Sequence, residues 1–375
     1  MPAVGKRPRV YKGTDKRMRR RRTVCMAEEP TKKAPADVFT NRRARTVVIV
    51  LTVVMVVAAC ISLLLGRYPI APGDALAMLA NLLPFVDIET GATPQAEALF
   101  YNVRLPRILL ALLVGCCLSA AGAAFQGTFQ NPLTSPDILG ASQGAALGAA
   151  IAILLGWGSV AISGMAFVFA IIAVLLVLIV SSRARGNKVL VVVLSGVMIS
   201  SLMSAGVSFT KLIADPANTL PAITYWLMGS LTSANLRDIA MVIAPMGIGL
   251  IALFLMRWRI NILTMGDEEA ETLGVNTKVV RLVVILAATL VTAASVSVTG
   301  MIGWVGLVVP HLCRMLVGAD YRKLLPASMV MGAGFLLLVD DVSRLVTTAE
   351  IPIGILTAFI GAPFFLYLIT RRKHR

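Results

Sequence analysis

The sequence predicts an all-α polytopic membrane protein of about ten transmembrane helices, with both termini on the cytoplasmic side. Three observations carry this prediction. Only 14% of the 375 residues are charged, against about 25% in a soluble globular domain, while 57% are hydrophobic. Apolar stretches near bilayer-spanning length recur along the chain. Lysine and arginine gather in every second connection between them, as in short cytoplasmic loops.

Residues 1–45 form a basic tail with 15 Lys/Arg against 4 Asp/Glu, so that +11 of the formal +16 lies there. Its run "DKRMRRRR" resembles a patch for nucleic acid or for anionic lipid. We read the tail as a disordered cytoplasmic extension that helps keep the first helix with its N-terminus inside, with membrane lipids and no nucleic acid as partner. The run stands too far before the first apolar segment for an ordinary secretion signal.

The membrane domain spans 46–370, followed by a short cytoplasmic tail at 371–375. Its first helix is expected at about 46–65, "TVVIVLTVVMVVAACISLLL", and a break containing Pro69, Pro72, Pro84 and Pro94 follows. Further helices are expected near 104–128, 139–155, 158–180, 189–209, 239–256, 279–298, 303–317, 325–346 and 351–370; those at 139–155 and 303–317 are short. With the N-terminus inside, fourteen Lys/Arg after residue 45 fall on the inner side. Six fall outside: Arg67, Arg104, Arg107, Lys211, Arg237 and Arg344.

Gly140, Gly144 and Gly148 recur every four residues, a double GxxxG that predicts close helix packing, within the subunit or across a dimer. Two segments break their helices alike, "QGTFQNPLTSPDILG" and "GMIGWVGLVVPHLC". They lie five crossings apart, the odd shift of an inverted repeat. Asp137, at a helix entry, is read as an N-cap, and His311, after Pro310, as structural. Five scattered cysteines and two histidines have no metal-ligand spacing, so no metal site, disulfide framework or bound cofactor is expected.

The stretch "GDEEAETLGV" puts Asp267, Glu268, Glu269 and Glu271 into five residues of a basic chain. Gly266 opens a turn and acids in the first turn favour the positive end of a helix. Gly274 suits the left-handed residue that ends one, and Ala270, Leu273 and Val275 supply an apolar edge. Locally this is a short amphipathic helix on the cytoplasmic side. It is either a solvated loop kept out of the membrane by its acids or a knob that docks a partner.

The chain resembles the permease subunit of ABC importers for iron-siderophores, haem and cobalamin, the FecCD-type permeases. The resemblance rests on "RLPRILLALLVG" at 104–115, "GAAFQGTFQNPLTSPDILGASQGAALGAA" at 122–150 and "YWLMGSL" at 225–231. It continues through "GDEEAETLGV" at 266–275, "GMIGWVGLVVPHLCRMLVGADYRKLLP" at 300–326 and "EIPIGILTAFIGAPFFLYLI" at 350–369. It implies a type II ABC importer permease fold and a dimer, of two copies or with a close paralogue, with the substrate path between subunits. It also implies a cytoplasmic ATP-binding subunit that uses ATP and Mg, and an external substrate-binding protein. On this resemblance Gly266–Val275 is the coupling helix, in which Gly266 and Gly274 bound the turn of helix, Asp267, Glu268, Glu269 and Glu271 make polar contacts, and Ala270 and Leu273 form the packing face. Arg104, Arg107 and Arg344 are implied to present guanidinium groups to carboxylates of the binding protein. The alternatives are that Arg104 and Arg107 anchor a helix end at the headgroups and that Arg344 pairs with Asp340 or Asp341. The fifth helix is implied to line the path, with Met198, Ser200, Met203, Ser204 and Ser208 as candidates; a packing role competes. The cargo expected is an iron-siderophore complex, with haem or cobalamin as alternatives.

Two other classes fit less well. A secondary transporter usually keeps charged residues near the midplane, whereas acids here cluster toward predicted helix ends. An enzyme would need reactive groups, but the sequence has no HExxH and no paired carboxylates within a helix layer; catalytic residues are not expected. There is no GxxxxGK[ST] loop either, so ATP hydrolysis must come from another chain.

Overall fold

A computed structural model describes residues 35–66, 68–83, 86, 88–184 and 188–371. The arginine run of the tail, Arg67, Arg185 and residues 372–375 lie outside the described residues. Two compact units are distinguished, Met1–Phe39 and Thr40–Arg375. Of the first, only the opening turn of a helix is described; the second holds everything that follows.

In chain order the α-helices are α1 (Pro35–Leu64), α2 (Pro72–Ala80), α3 (Pro94–Leu99), α4 (Leu105–Thr128), α5 (Ala141–Leu154), α6 (Ser159–Arg183) and α7 (Lys188–Ile213). They continue as α8 (Thr219–Met228), α9 (Leu236–Leu263), α10 (Asp267–Thr272), α11 (Thr277–Thr299), α12 (Val305–Val317), α13 (Tyr321–Leu345) and α14 (Ile353–Arg371). Seven helical spans are long and apolar enough to cross a membrane, and three shorter apolar helices (Ala141–Leu154, Val305–Val317 and Ile353–Tyr367) accompany them. Each of the ten expected segments is therefore helical. Residues 35–45, expected to be disordered, extend α1 instead, with Pro35 in the first turn, where its missing N–H removes no helix bond.

Two helices form the centre. In the apolar stretch of Pro94–Thr128, 78% of residues are buried, and in that of α11, 72%, against 17% for α1 and 22% for α7. Small residues explain how α4 reaches this position. Gly115 lies against the backbone carbonyl of Gly332 on α13, and Gly122 against that of Gly306 on α12, with no room for a Cβ at either contact. Without a hydrophobic drive between helices in lipid, such backbone approach supplies the packing energy. Outside this centre, Val50, Val53, Val54 and Val57 of α1 stay about half exposed, the surface expected where lipid is the solvent.

The double GxxxG resolves as an internal contact. Gly144 would place a Cβ 2.5 Å from the Phe169 carbonyl, and Gly148 would clash with the Met165 carbonyl, so α5 lies directly on α6. Gly140 does something different. It caps α5 at φ 81° beside Ser200 of α7, outside the α6 contact.

Both broken segments are present, and each holds a non-glycine residue in the left-handed region: Gln130 at φ 51° after α4 and Trp304 at φ 69° after α11. Gln130 is held by its own side chain, whose Nε2 donates to the Leu263 carbonyl at 2.6 Å. Asp137 is not an N-cap: it sits inside a 3₁₀ turn (Pro136–Leu139) and accepts from the Ser142 hydroxyl in the first turn of α5. His311 packs against the rings of Phe364 and Phe365 between α12 and α14, at 6.3 and 6.0 Å, in keeping with a structural role.

Candidate functional site

Two charged constellations lie at opposite ends of the α4, α11 and α13 core. At one end, Gln130 just past α4 meets the C-terminus of α9, and the Tyr321 N–H opening α13 donates to Asn261 Oδ1 at 3.0 Å. The acidic stretch sits here. At the other end are the starts of α4 and α14 and the close of α13, with Arg104, Arg107 and Arg344.

The acidic stretch folds as its sequence dictates. Gly266 takes φ 127°, a conformation closed to side-chain-bearing residues, and turns the chain out of α9. Six residues of helix follow, with Asp267, Glu268 and Glu269 in the first turn. Gly274, at φ 76°, ends α10 in a Schellman motif: the Val275 N–H donates to the Ala270 carbonyl and the Gly274 N–H to that of Glu271, both at 3.0 Å.

Ala270 is fully buried and Val275 nearly so, which seats the helix on the body of the protein. Leu273 departs from expectation. It is the C-cap (φ −84°, ψ 9°), where the chain already leaves the helical screw, so it stands 57% exposed and does not pack beside Ala270. The acids divide in the same way. Arg281 of α11 grips Asp267 with Nη2 at 2.9 Å and Nη1 at 3.3 Å, and Glu271 accepts from the Thr277 hydroxyl at 3.3 Å. Glu268 and Glu269 are exposed and form no ion pair among the described residues. Two acids therefore fix the helix, while Glu268 and Glu269 stay exposed beside Leu273, the Glu269 carboxylate folded back over Gly266.

At the arginine end the three guanidinium groups are engaged within the chain. Arg104, Arg107 and Arg344 are 4%, 6% and 8% exposed, and their guanidinium groups turn inward. Arg104 donates to the carbonyls of Leu63, at 2.8 Å, and Tyr68. Arg107 holds Asp340 through Nε and Nη2, and its Nη1 reaches Glu350 at 2.9 Å. Arg344 pairs with Asp341 and donates to the Ser62 hydroxyl and carbonyl, the alternative that sequence left open. The physical reason is desolvation. A guanidinium this deep is tolerated only with acceptors around it, and the chain supplies them from the end of α1 and the stretch after it, from α13 and from the loop before α14. Glu350 is the accessible member, 27% exposed, and it also accepts from the Thr232 hydroxyl at 2.9 Å.

The α7 residues do not form one lining. Met203 is buried and Ser200 half-buried next to Gly140, so both pack within the subunit. Met198, Ser204 and Ser208 lie on exposed surface, Met198 at 71%, and the Ser208 hydroxyl is used internally, donating to the Ser204 carbonyl. Among the described residues no group of three or more His, Cys, Asp or Glu is arranged to hold a metal ion.

The sequence model of the FecCD transport family matches residues 54–371, nearly all of the helical body. The chain belongs to the FecCD transport family. Among this FecCD protein's relatives, the molybdate import system permease MolB of Haemophilus influenzae is 39% identical over 323 residues, covering 86% of this chain and 95% of MolB. A Helicobacter pylori protein named "Probable iron chelatin transport system permease protein" is 44% identical over 272 residues, covering 72% and 82%. Among solved structures, an inward-facing transporter assigned to the metal-chelate ABC type matches with a TM-score of 0.78 and 38% identity, over 87% of this chain and 99% of that one. The FecCD chain is thus an ABC importer permease with the type II fold, a multi-pass protein of the cytoplasmic membrane. Permeases of this kind are not themselves enzymes and act with ATP-binding and substrate-binding subunits.

Proposed function

We propose that this permease moves an iron-siderophore complex across the cytoplasmic membrane, as a homodimer or paired with a close paralogue. In this reading an external binding protein delivers the chelate and a cytoplasmic ATP-binding subunit drives the cycle. The observation that carries it is the division of labour in α10. Asp267, Ala270 and Glu271 tie the helix to the body, leaving Glu268, Glu269 and Leu273 as a free acidic and apolar face. That is the surface a coupling helix needs: rigidly mounted, so that displacement of its partner is passed on, and complementary to a groove with basic and apolar walls. Both chain termini are then cytoplasmic, and ATP and Mg belong to the partner.

At the outer end, Arg107 serves docking through exchange of partners. A carboxylate of the binding protein takes the place of accessible Glu350 at Nη1, while Asp340 keeps the guanidinium oriented. Arg104 and Arg344 hold the ends of α1, α4 and α13 in the shape that receives it. The exposed α7 face with Met198, Ser204 and Ser208 fronts the path between subunits. The valine faces of α1 meet lipid.

Iron chelate as cargo is supported by the 44% identity to the relative named for iron chelatin. The nearly full-length match to the molybdate permease favours a second reading, an oxyanion cargo. Proteoliposomes carrying the complete importer decide between them. ATP-dependent uptake of radiolabelled ferric siderophore, not competed by molybdate, is expected; molybdate uptake without iron uptake would replace the iron reading with the oxyanion one.

A further inference from the structure

The acidic helix is bonded through its side chains to α11, and the far end of α11 is held by close backbone contacts. At the near end the bidentate Arg281–Asp267 contact and the Thr277–Glu271 bond both join α10 to the first turns of α11. Arg281 is 7% exposed, so the arginine side of this clamp is fixed inside the protein while the Asp267 carboxylate stays partly open to water. Between its ends α11 has 23 residues without an internal proline or glycine, and on the order of 35 Å of helix at 1.5 Å per residue.

At the far end three glycines bring three chain segments into backbone contact. Gly300, just past α11 at φ 69°, leaves no room for a Cβ against the Trp226 carbonyl of α8. Gly229 is closed in the same way by the Met301 carbonyl, and Gly354 of α14 by the carbonyls of Met228 and Met301. Hydrogen bonds lock the junction: the Ser230 N–H donates to Thr299 at 2.7 Å, and the Ile353 N–H to Gly229 at 2.9 Å. Beyond it, α8 and α14 border an open apolar groove of about 640 Å³, lined among others by Met228, Trp304, Ile355 and Phe359.

We propose that α11 is the strut that carries displacement of α10 to the α8–α14 pair, with Arg281 as the positioning residue at its driven end and the Gly229–Gly300–Gly354 junction as its grip. This rests on the coupling role of α10 and adds where the motion goes. A salt-bridged near end, an unbroken rod and a glycine-locked far end are what a transmitting element requires; a helix that only fills the core requires none of them. Arg281 makes no contact with the ATP-binding subunit in this scheme. Losing it decouples hydrolysis from movement without removing the docking surface.

The test uses the complete importer in proteoliposomes and reads cargo moved per ATP hydrolysed. Arg281→Ala is expected to keep assembly and ATP hydrolysis within about threefold while cargo per ATP falls at least tenfold. The charge-keeping Arg281→Lys, which cannot hold Asp267 with two nitrogens, falls between. Unchanged cargo per ATP in Arg281→Ala overturns the strut. If Arg281→Ala does not assemble, Gly354→Ala carries the same reading, because it lies at the far end, away from the contact with the ATP-binding subunit: hydrolysis without transport, with the binding protein still bound, supports the strut, and a normal ratio overturns it. Glu268→Arg/Glu269→Arg separates this from the coupling role itself. If that variant still assembles, the coupling role fails; if it loses assembly while Arg281→Ala transports normally, only the strut fails.

Discussion

Arg107 holds Asp340, 233 positions away in the chain, with Nε at 3.0 Å and Nη2 at 2.8 Å. Asp340 has no exposed surface, so the pair fastens the start of α4 to the end of α13 from inside. Breaking such a pair by removing one partner costs about 3–5 kcal/mol, because the other charge stays buried alone. Asp340→Ala is therefore expected to lower the melting temperature in detergent markedly. Arg107→Leu/Asp340→Leu is expected to recover most of the loss, since it removes both buried charges and leaves only the accessible Glu350 without its partner. A double variant as unstable as the single one would show that packing, not charge, governs the site.

The glycine contacts of α4 give a sharper contrast. Gly122→Ala drives a methyl group into the Gly306 carbonyl, and overpacking of this kind costs about 1–3 kcal/mol. Gly164 of α6 is exposed and has nothing within 4 Å of the position a methyl group would take, so Gly164→Ala is expected to be neutral or to stabilise by up to about 1 kcal/mol through helix propensity. Thermal unfolding of the two variants side by side checks the pair.

Asp320, before α13, supplies a pH test outside the membrane spans. Burial pushes its carboxyl up, but bonds from the Arg322 backbone N–H and guanidinium, with the Arg322 and Lys323 charges, hold it below the usual carboxylate range. A folded-state value below the unfolded one means the stabilisation is present above about pH 4 and is lost as pH falls through the folded value. Asp320→Ala is expected to cost about 1 kcal/mol at neutral pH as a lost N-cap. Its deficit against wild type should shrink on acidification; a deficit that grows would reverse the assignment.

Legibility in the sequence follows physical range. The long apolar segments were readable because lipid imposes a length and a composition on each helix independently. Gly266 and Gly274 were readable because each sits where only a backbone without a Cβ is comfortable. The short helices α2 and α3 were hidden by proline: Pro72 and Pro94 read as breaks, yet each opens a helix in its first turn. The arginines could not be placed from local pattern. Arg107 finds its carboxylates 233 and 243 residues away, and Arg104 finds backbone carbonyls, which carry no sequence signature. Asp341 and Arg344, three apart on one helix, were the exception, since neighbours at that spacing share a face.

The central claim is that α10 joins this permease to an ATP-binding subunit through its free acids. Glu271 is engaged by Thr277, so Glu268 and Glu269 are the residues to reverse. The most direct measurement is the affinity of purified permease for its ATP-binding subunit, comparing wild type with Glu268→Arg/Glu269→Arg. Like charges brought together at an interface cost several kcal/mol, so binding is expected to weaken at least about tenfold while the permease keeps its fold and oligomeric state. Unchanged affinity, with the same stimulation of ATP hydrolysis, would contradict the account and move the cytoplasmic contact to another surface.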